Sequence, residues 1–368
     1  MSLPQPVKTF LKWLISIGIG VLFIWLALDE WPIDTLISGD LSLDGRYLVA
    51  GTAWRLDLLY LPLYFLTLVV MHIFRFWRWQ PLLKPLAPVD LWTLNKVCSV
   101  GFMAVFLMPM RLGELVRPAL ISTQATIRRS TALATIVVER VIDGVMVAGF
   151  LAVALLFMPN SNSESFTELR IGTYIALAGF TGLVVVLIMM FAFRYPIQAF
   201  VKDSTSRISS KFGLALGGFL DRFLTGLSIF PDVKNFLWFL FLSFFYWASN
   251  GIGLYLLGMG FEVGGAGGGW VPFGIPLLGA FAMMSTIVIG MMIPNAPANV
   301  GTFWYFLLKP IELYGVAPGS PAGMAYALTV WTMQLLQLLI FGGWFLVNGS
   351  IPWRQAFSVS WSKATAEH

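Results

Sequence analysis

The sequence contains few of the side chains from which most metal centres and catalytic triads are built. Its 368 residues include one cysteine, Cys98, and two histidines, His72 and His368. These counts exclude an intramolecular disulfide and a cysteine-based metal site, and they argue against a Ser-His-Asp triad. We expect neither a metal nor a bound cofactor, and we expect His72 to be buried rather than catalytic.

Charged side chains are also scarce. They make up 11% of the residues, against about 25% in an average soluble domain, whereas hydrophobic residues make up 58%. With a mean hydropathy of +0.81, this composition excludes a soluble enzyme, a nucleic-acid-binding protein and a disordered scaffold. The long apolar runs predict an all-α polytopic membrane protein.

Six apolar runs are near or above the roughly 20 residues that a transmembrane helix requires. They lie at 10–28, 56–74, 131–158, 171–193, 235–259 and 322–347. Two further apolar regions, 91–126 and 272–314, are interrupted by proline, glycine and polar residues. We expect 91–126 to be a re-entrant hairpin, because its charges cannot face lipid, and 272–314 to resemble it. Two full crossings are the alternative for each region, since 272–293 alone is long enough to span.

The basic residues indicate the orientation in the membrane. Sixteen of the 23 lysines and arginines fall in the segments 1–13, 75–96, 127–130, 194–234 and 350–368. The intervening segments 29–57, 159–170, 260–271 and 315–321 carry three basic and nine acidic residues. The positive-inside rule therefore predicts that the first set, with both termini, is cytoplasmic.

The two halves of the chain share an order of elements. Each half has two apolar spans, then a broken pair of helices, then a third span. The first broken pair is on the cytoplasmic side and the second is on the outer side. This order predicts an inverted-topology repeat, whose broken helices form the substrate site in many transporters; coincidence among eight apolar segments is the alternative. The predicted units are a membrane half 1–193, a cytoplasmic amphipathic linker 194–234, a membrane half 235–350 and a cytoplasmic tail 351–368.

Six charged residues, spread over 33 positions, lie within two neighbouring apolar regions. They are Arg111, Glu114 and Arg117 in the first broken region, and Glu139, Arg140 and Asp143 in the next span. Helical spacing places Arg111 near Glu114, and Glu139 near Asp143. One interpretation is an anion site, because the planar guanidinium groups of arginine bind phosphate well. The alternative is a purely structural cluster, whose ion pairs hold the hairpin against the following span. Because these charges sum to zero, an anionic ligand would require a protonated carboxyl group, which favours proton-linked transport.

The second broken region has amides in place of charges. Pro294, Pro297 and Gly301 prevent a regular helix, while Asn295 and Asn299 supply hydrogen-bond donors and acceptors. Unwound backbone at membrane depth occurs where it is buried in protein or lines a wet cavity. We therefore expect both asparagines to line the substrate site, with a tight loop at the outer surface as the alternative.

Several motifs resemble those of a known family. The segment MPMRLGELVRPALI (108–121) carries Pro-x-Arg-x-Gly-Glu and Arg-Pro, and ALATIVVERVIDGVMV (132–147) carries Glu-Arg-x-x-Asp. Together with IPNAPANVGTFW (293–304) and the pair Arg78-Trp79, they resemble the lysylphosphatidylglycerol synthase transmembrane-region family. The resemblance covers about residues 10 to 347.

The resemblance implies a bacterial inner-membrane protein that moves a lipid, or a lipid-linked headgroup, between leaflets. Its motif positions here are Pro109, Arg111, Gly113, Glu114, Arg117, Glu139, Arg140, Asp143, Pro294, Pro297 and Gly301. Trp304 stands where members of the family often have an acidic residue, which argues against an aminoacylated lipid as substrate. The sequence shows no soluble acyltransferase-like domain, so we expect no synthase activity.

Three functions fit these observations, and a lipid transporter fits best. A membrane-embedded enzyme acting on lipid phosphates would use Glu114, Glu139 and Asp143 as bases or metal ligands, but no activated nucleophile is visible. A non-transporting partner of an envelope lipid or glycan enzyme would need the cluster for folding and assembly alone. None of the three implies a nucleic-acid partner.

Overall fold

The computed structural model of the chain describes residues 41–353 apart from short gaps, together with residues 18, 21 and 22. The gaps are 158–163, 207–209, 229, 231, 266, 294–295 and 315–319. Nearly all of the predicted span 10–28 and of the tail 351–368 therefore lies outside the described residues.

Helices make up most of the described chain. The first six are α1 Tyr60–Trp77, α2 Trp79–Leu83, α3 Leu91–Leu107, α4 Val116–Gln124, α5 Arg129–Leu156 and α6 Glu164–Ala192. The next six are α7 Arg194–Ser206, α8 Ser210–Gly226, α9 Val233–Met259, α10 Leu277–Met291, α11 Thr302–Leu308 and α12 Pro321–Val347. Shorter 3-10 segments cover Pro109–Leu115, Pro297–Asn299 and Lys309–Tyr314.

Four stretches of described helix are long and apolar enough to cross a membrane. They are Tyr60–Leu83, Phe166–Ala192, Val233–Met259 and Pro321–Val347. Helix α5 has 28 residues, but every 18-residue stretch of it contains Glu139, Arg140 and Asp143. These findings confirm a helical multi-pass membrane protein, whereas the six full spans and the inverted repeat stay predictions.

The arms of the two broken regions are short. In the first region α3 has 17 residues and α4 has nine, and in the second α10 has 15 and α11 has seven. Helix α10 is about 22 Å long, against a hydrocarbon core of about 30 Å. The sequence suggested that 272–293 could span alone, but Pro272 ends a strand and the helix begins only at Leu277, after Pro276. The lengths favour re-entrant hairpins.

Three long helices begin where a polar side chain caps the backbone. Asp90 accepts a hydrogen bond from Thr93 N (2.9 Å), and this bond holds the pKa of its carboxyl group below the ordinary value. Asp232 starts α9 and Ser320 starts α12 in the same way. Each cap satisfies a backbone N–H that the first turn would leave without a partner.

The described chain also contains a five-stranded antiparallel sheet that the sequence analysis did not predict. Its strands are β1 Leu41–Asp44, β2 Tyr47–Ala50, β3 Trp54–Asp57, β4 Phe261–Gly264 and β5 Trp270–Pro272, in that order. The expected start of a span at residue 56 is therefore wrong, because Trp54–Asp57 is a strand and α1 begins at Tyr60. The glycine-rich segment 264–269 connects β4 to β5.

The sheet joins the start of α1 to the end of α9. Strand β3 precedes α1 and pairs with β4, which follows α9. Arg55 and Glu262 face each other across this pair, with 2.7 Å between Arg55 Nε and Glu262 Oε2. Helices α1 and α9 also pack along each other.

The predicted linker 194–234 contains two helices, α7 and α8, which pack together. Helix α8 also contacts α5, where Arg222 Nε lies 3.2 Å from Ser130 Oγ. At Gly226 an added Cβ would lie 2.4 Å from the Thr131 carbonyl oxygen. Part of 194–234 is therefore packed against α5.

Gly113 allows the first broken region to fold closely against α3. An added Cβ there would lie 2.2 Å from Val105 N and 2.4 Å from Ala104 O, both backbone atoms. We expect Gly113→Ala to lower the free energy of unfolding by about 1–3 kcal/mol, as overpacking does. SDS titration of the purified protein in mixed micelles measures this change.

Gly149→Ala is the matched control, because this glycine lies in α5 with no atom within 4 Å of its added Cβ. It should leave the protein equally stable or slightly more stable, since alanine favours a helix over glycine by about 1 kcal/mol. Equal stability of Gly113→Ala and wild type would contradict the close packing.

Candidate functional site

The first broken region projects its charges towards α5. Helix α3 ends at Leu107, and the 3-10 segment begins at Pro109 and leads into α4. Arg111 has a φ of 56°, an unusual conformation for a residue other than glycine. Arg111 and Glu114 form the expected i, i+3 ion pair, with 2.7 Å between Nη2 and Oε1.

Two arginines and two carboxylates form the buried centre of the site. Arg78 Nη2 lies 2.8 Å from Asp143 Oδ2 and 2.9 Å from Glu139 Oε1. Arg117 binds Glu139 with both terminal nitrogens, at 3.1 Å and 2.9 Å. All four side chains are fully buried. Charges in such surroundings persist where geometry and hydrogen bonds compensate for lost hydration.

Aromatic rings surround this centre. The guanidinium carbon of Arg78 lies 4.2 Å from the Tyr246 ring centroid, and that of Arg117 lies 4.3 Å from Trp79. Trp247 donates its indole N–H to Asp143 Oδ1 at 2.9 Å. The rings add cation–π attraction to the ion pairs.

A second layer of charge is partly exposed. Arg140 lies 3.1 Å from Glu139 Oε1 and 3.6 Å from both Glu114 Oε1 and Asp143 Oδ2. Its side chain is 24% exposed and that of Arg111 is 22% exposed, so both are reached from outside the protein. Each carboxylate in the site is thus held by at least one arginine.

The two broken regions meet at this layer. Arg111 Nη1 donates to the backbone carbonyl of Met291, at the end of α10, with a distance of 2.5 Å. Asn299 lies beyond that helix end and points into the same cavity as Arg111. Residues 298 and 299 have φ angles of 57° and 55°, and Gly301 has 79°. The loop around Pro297 is therefore irregular, as its sequence predicted.

The other residues singled out in the second broken region are placed as follows. Asn295 and Pro294 lie outside the described residues. Trp304, at the position where the family often has an acid, packs edge-on against Trp331 at 5.7 Å. Trp331 in turn donates its indole N–H to the Ala298 carbonyl at 2.8 Å.

Arg75 and Arg78 were misassigned by the sequence analysis, which counted both as cytoplasmic loop charges. The structure places Arg75 in the last turn of α1 and Arg78 directly after it, and both are buried. Their i, i+3 spacing at the end of an apolar run was the available signal. The resemblance to the family had marked Arg78 without giving it a role.

Arg75 differs from the other arginines of the site. Among the described residues it forms no ion pair, and its Nε and Nη1 atoms are buried without a hydrogen-bond partner. Its guanidinium carbon lies 4.6 Å from the Phe102 ring centroid. Arg117 and Arg140 contact the same ring, at 4.6 Å and 5.5 Å. Arg75 therefore belongs to the cluster although no carboxylate holds it.

We define the arginine cluster as Arg75, Arg78, Arg111, Arg117, Arg140, Glu114, Glu139 and Asp143. Five arginines and three carboxylates give it a net charge of +2 when all are ionised. The neutral count expected from the sequence is therefore wrong, because it lacked the two arginines contributed by α1 and its C-terminal end.

A cavity of about 100 Å³ opens beside the cluster. Its charged lining residues are Arg75, Arg111 and Arg140, and Asn299 and Gln334 add amide groups. None of its lining residues is acidic. The cavity is therefore positively charged, and its polar lining suits an anion.

Two further observations concern His72 and metal binding. His72 is buried and hydrogen-bonded to Asn95 Oδ1 and Ser99 Oγ, at 3.0 Å and 3.1 Å. Among the described residues, no group of histidine, cysteine, aspartate and glutamate side chains is arranged to hold a metal ion.

One comparison with known proteins gives a match. A family model described as "Lysylphosphatidylglycerol synthase TM region" matches residues 13–343, nearly the whole chain. No curated protein and no solved structure matches. The family expected from the motifs is therefore confirmed.

The buried ion pairs of Arg78 predict a large loss of stability when this residue is changed. Arg78→Met leaves Asp143 and Glu139 undercompensated, which should cost about 3–5 kcal/mol. Adding Asp143→Asn to that variant should restore part of the loss. SDS titration in mixed micelles measures both variants.

Arg55→Met is the matched control, because it removes an ion pair whose side chains are 24% and 25% exposed. It should cost less than about 1 kcal/mol. Two results would contradict this interpretation. One is an equal loss of stability in Arg78→Met and in the control Arg55→Met. The other is a double variant, Arg78→Met with Asp143→Asn, that is less stable than Arg78→Met alone.

Proposed function

The chain belongs to the lysylphosphatidylglycerol synthase TM region family, and we propose that it is a flippase-like transporter. Its substrate would be a phospholipid or a lipid-linked headgroup that moves between leaflets. The family is a membrane domain related to lipid flippases and transporters. The site in this chain supports the finer proposal.

The observation that carries the proposal is the cationic cavity at the junction of the two broken regions. Arg111 of the first region contacts Met291 at the start of the second break, and Asn299 lines the same space. Guanidinium groups bind phosphate oxygens in pairs through their planar forks. The cavity thus suits the phosphate of a lipid headgroup at the place where the two hairpins meet.

The positive net charge of the cluster removes the need for a protonated carboxyl group when an anion binds. With a net charge of +2, the cluster accepts an anion while all three carboxylates stay ionised. The argument for proton coupling, which rested on a neutral cluster, therefore no longer applies. We propose transport by headgroup exchange between arginines, with the short hairpins as the moving elements.

The structure gives less support to an enzyme. Glu114, Glu139 and Asp143 are each ion-paired with arginine, so none is placed as an unpaired base. We therefore propose a transporter without synthase activity. We also propose an inner-membrane location with cytoplasmic termini, on the basis of the loop charges.

The proposal predicts lipid movement in reconstituted liposomes. Wild type should expose fluorescent phospholipid of the inner leaflet to a membrane-impermeant quencher faster than empty liposomes do. Arg111→Gln and Glu114→Gln should slow this movement at least tenfold at matched folded yield, since they alter the charged layer of the cavity.

Arg170→Gln is the control, because Arg170 is exposed on α6 and contacts Phe166 rather than the cluster. It should move lipid at the wild-type rate. No movement by wild type across a panel of headgroups would contradict the proposal and favour a non-transporting partner of an envelope enzyme. Wild-type rates in both cluster variants would exclude the cluster as the transport site.

A further inference from the structure

Arg75 is a buried cation whose counter-ion is missing from the described protein. It is 7% exposed, two of its three guanidinium nitrogens have no hydrogen-bond partner, and the third faces Met71 Sδ at 3.8 Å. An uncompensated charge in such a place is costly. The cavity beside it is where a compensating anion has room to bind.

The charges around the cavity indicate how much negative charge such an anion carries. The three carboxylates of the cluster are engaged by Arg78, Arg111, Arg117 and Arg140. After these pairs are formed, two positive charges remain. A phosphodiester carries one negative charge, whereas a terminal phosphate monoester carries close to two above its second pKa of about 6. A monoester therefore neutralises the cluster and a diester does not.

The lining of the cavity is compatible with the same class. Its volume of about 100 Å³ leaves room for a phosphate group, and it is lined by Arg111 and Arg140, whose side chains are 22% and 24% exposed. A cationic headgroup would also lack a partner, because no lining residue is acidic.

We infer that the cavity binds the terminal phosphate monoester of a lipid, with Arg75 as the residue that selects the doubly charged group. Arg111 on the 3-10 segment and Arg140 on α5 are the other charged residues that line the cavity. This inference rests on the proposed function and names its substrate class: a lipid that ends in a phosphate, in preference to phosphodiester lipids.

The test compares two lipids that differ by one methyl group and one charge. Dioleoyl phosphatidate ends in a monoester, and dioleoyl phosphatidylmethanol is the corresponding diester. Binding to the purified protein in mixed micelles at pH 8 is measured by the rise in unfolding temperature with lipid concentration. We expect wild type to bind phosphatidate at least tenfold more tightly than phosphatidylmethanol.

Three variants assign the preference to Arg75. Arg75→Gln should reduce the ratio between the two lipids to less than about twofold, Arg75→Lys should keep most of it, and Arg170→Gln should leave it unchanged. Without lipid, Arg75→Gln should unfold at the wild-type temperature or above, because it removes an uncompensated buried charge. Unfolding at a clearly lower temperature would show a structural role and overturn the inference.

The remaining outcomes are separable. Equal affinity of wild type for both lipids overturns the inference, even if liposomes show that a phosphodiester lipid is moved and the proposed function stands. An Arg75-dependent preference for phosphatidate without any lipid movement supports the binding site and contradicts the transporter. Stabilisation by inorganic phosphate or glycerol 3-phosphate, with none by phosphatidate, would identify a soluble phosphate ligand and overturn the lipid assignment.

Discussion

The ion pairs between α5 and the elements around it are the interaction on which the site depends. Glu139 and Asp143 occupy the middle of a mostly apolar helix, and water does not reach them. Arg78 and Arg117 compensate both charges, and each comes from a different element. The ion pairs therefore fix where α1 ends and where α4 packs, and this in turn sets the position of the partly exposed Arg111 and Arg140.

The arrangement separates two roles of arginine in one cluster. Arg78 and Arg117 are fully buried, held by carboxylates and stacked on aromatic rings, so they act on the fold. Arg75, Arg111 and Arg140 line the cavity, so they are available to a ligand. The purely structural interpretation and the anion-binding interpretation of the sequence are thus both compatible with the geometry, because they concern different arginines.

Local spacing was enough to predict part of the site. Pairs such as Arg111 with Glu114 follow from helical periodicity, and Pro109 and Gly113 mark the break. Arg75 and Arg78 were missed because both stand at the end of an apolar run. In sequence, an arginine there that faces lipid headgroups cannot be distinguished from one that binds a partner 65 residues away, as Arg78 does. The sheet was missed because β3 and β4 lie about 200 residues apart, although Leu41–Asp44 alternates and Gly45 marks a turn.

The distance along the chain between Arg78 and its carboxylates has a consequence for biosynthesis. Glu139 and Asp143 are synthesised 61 and 65 residues after Arg78. Under the orientation proposed above, Arg75 and Arg78 face the cytoplasmic headgroups when α1 is made, where positive charge is favoured. Arg78 acquires its carboxylate partners only after α5 has been synthesised. The proposed orientation thus gives Arg78 two successive roles, first in orienting the nascent chain and later in its interior.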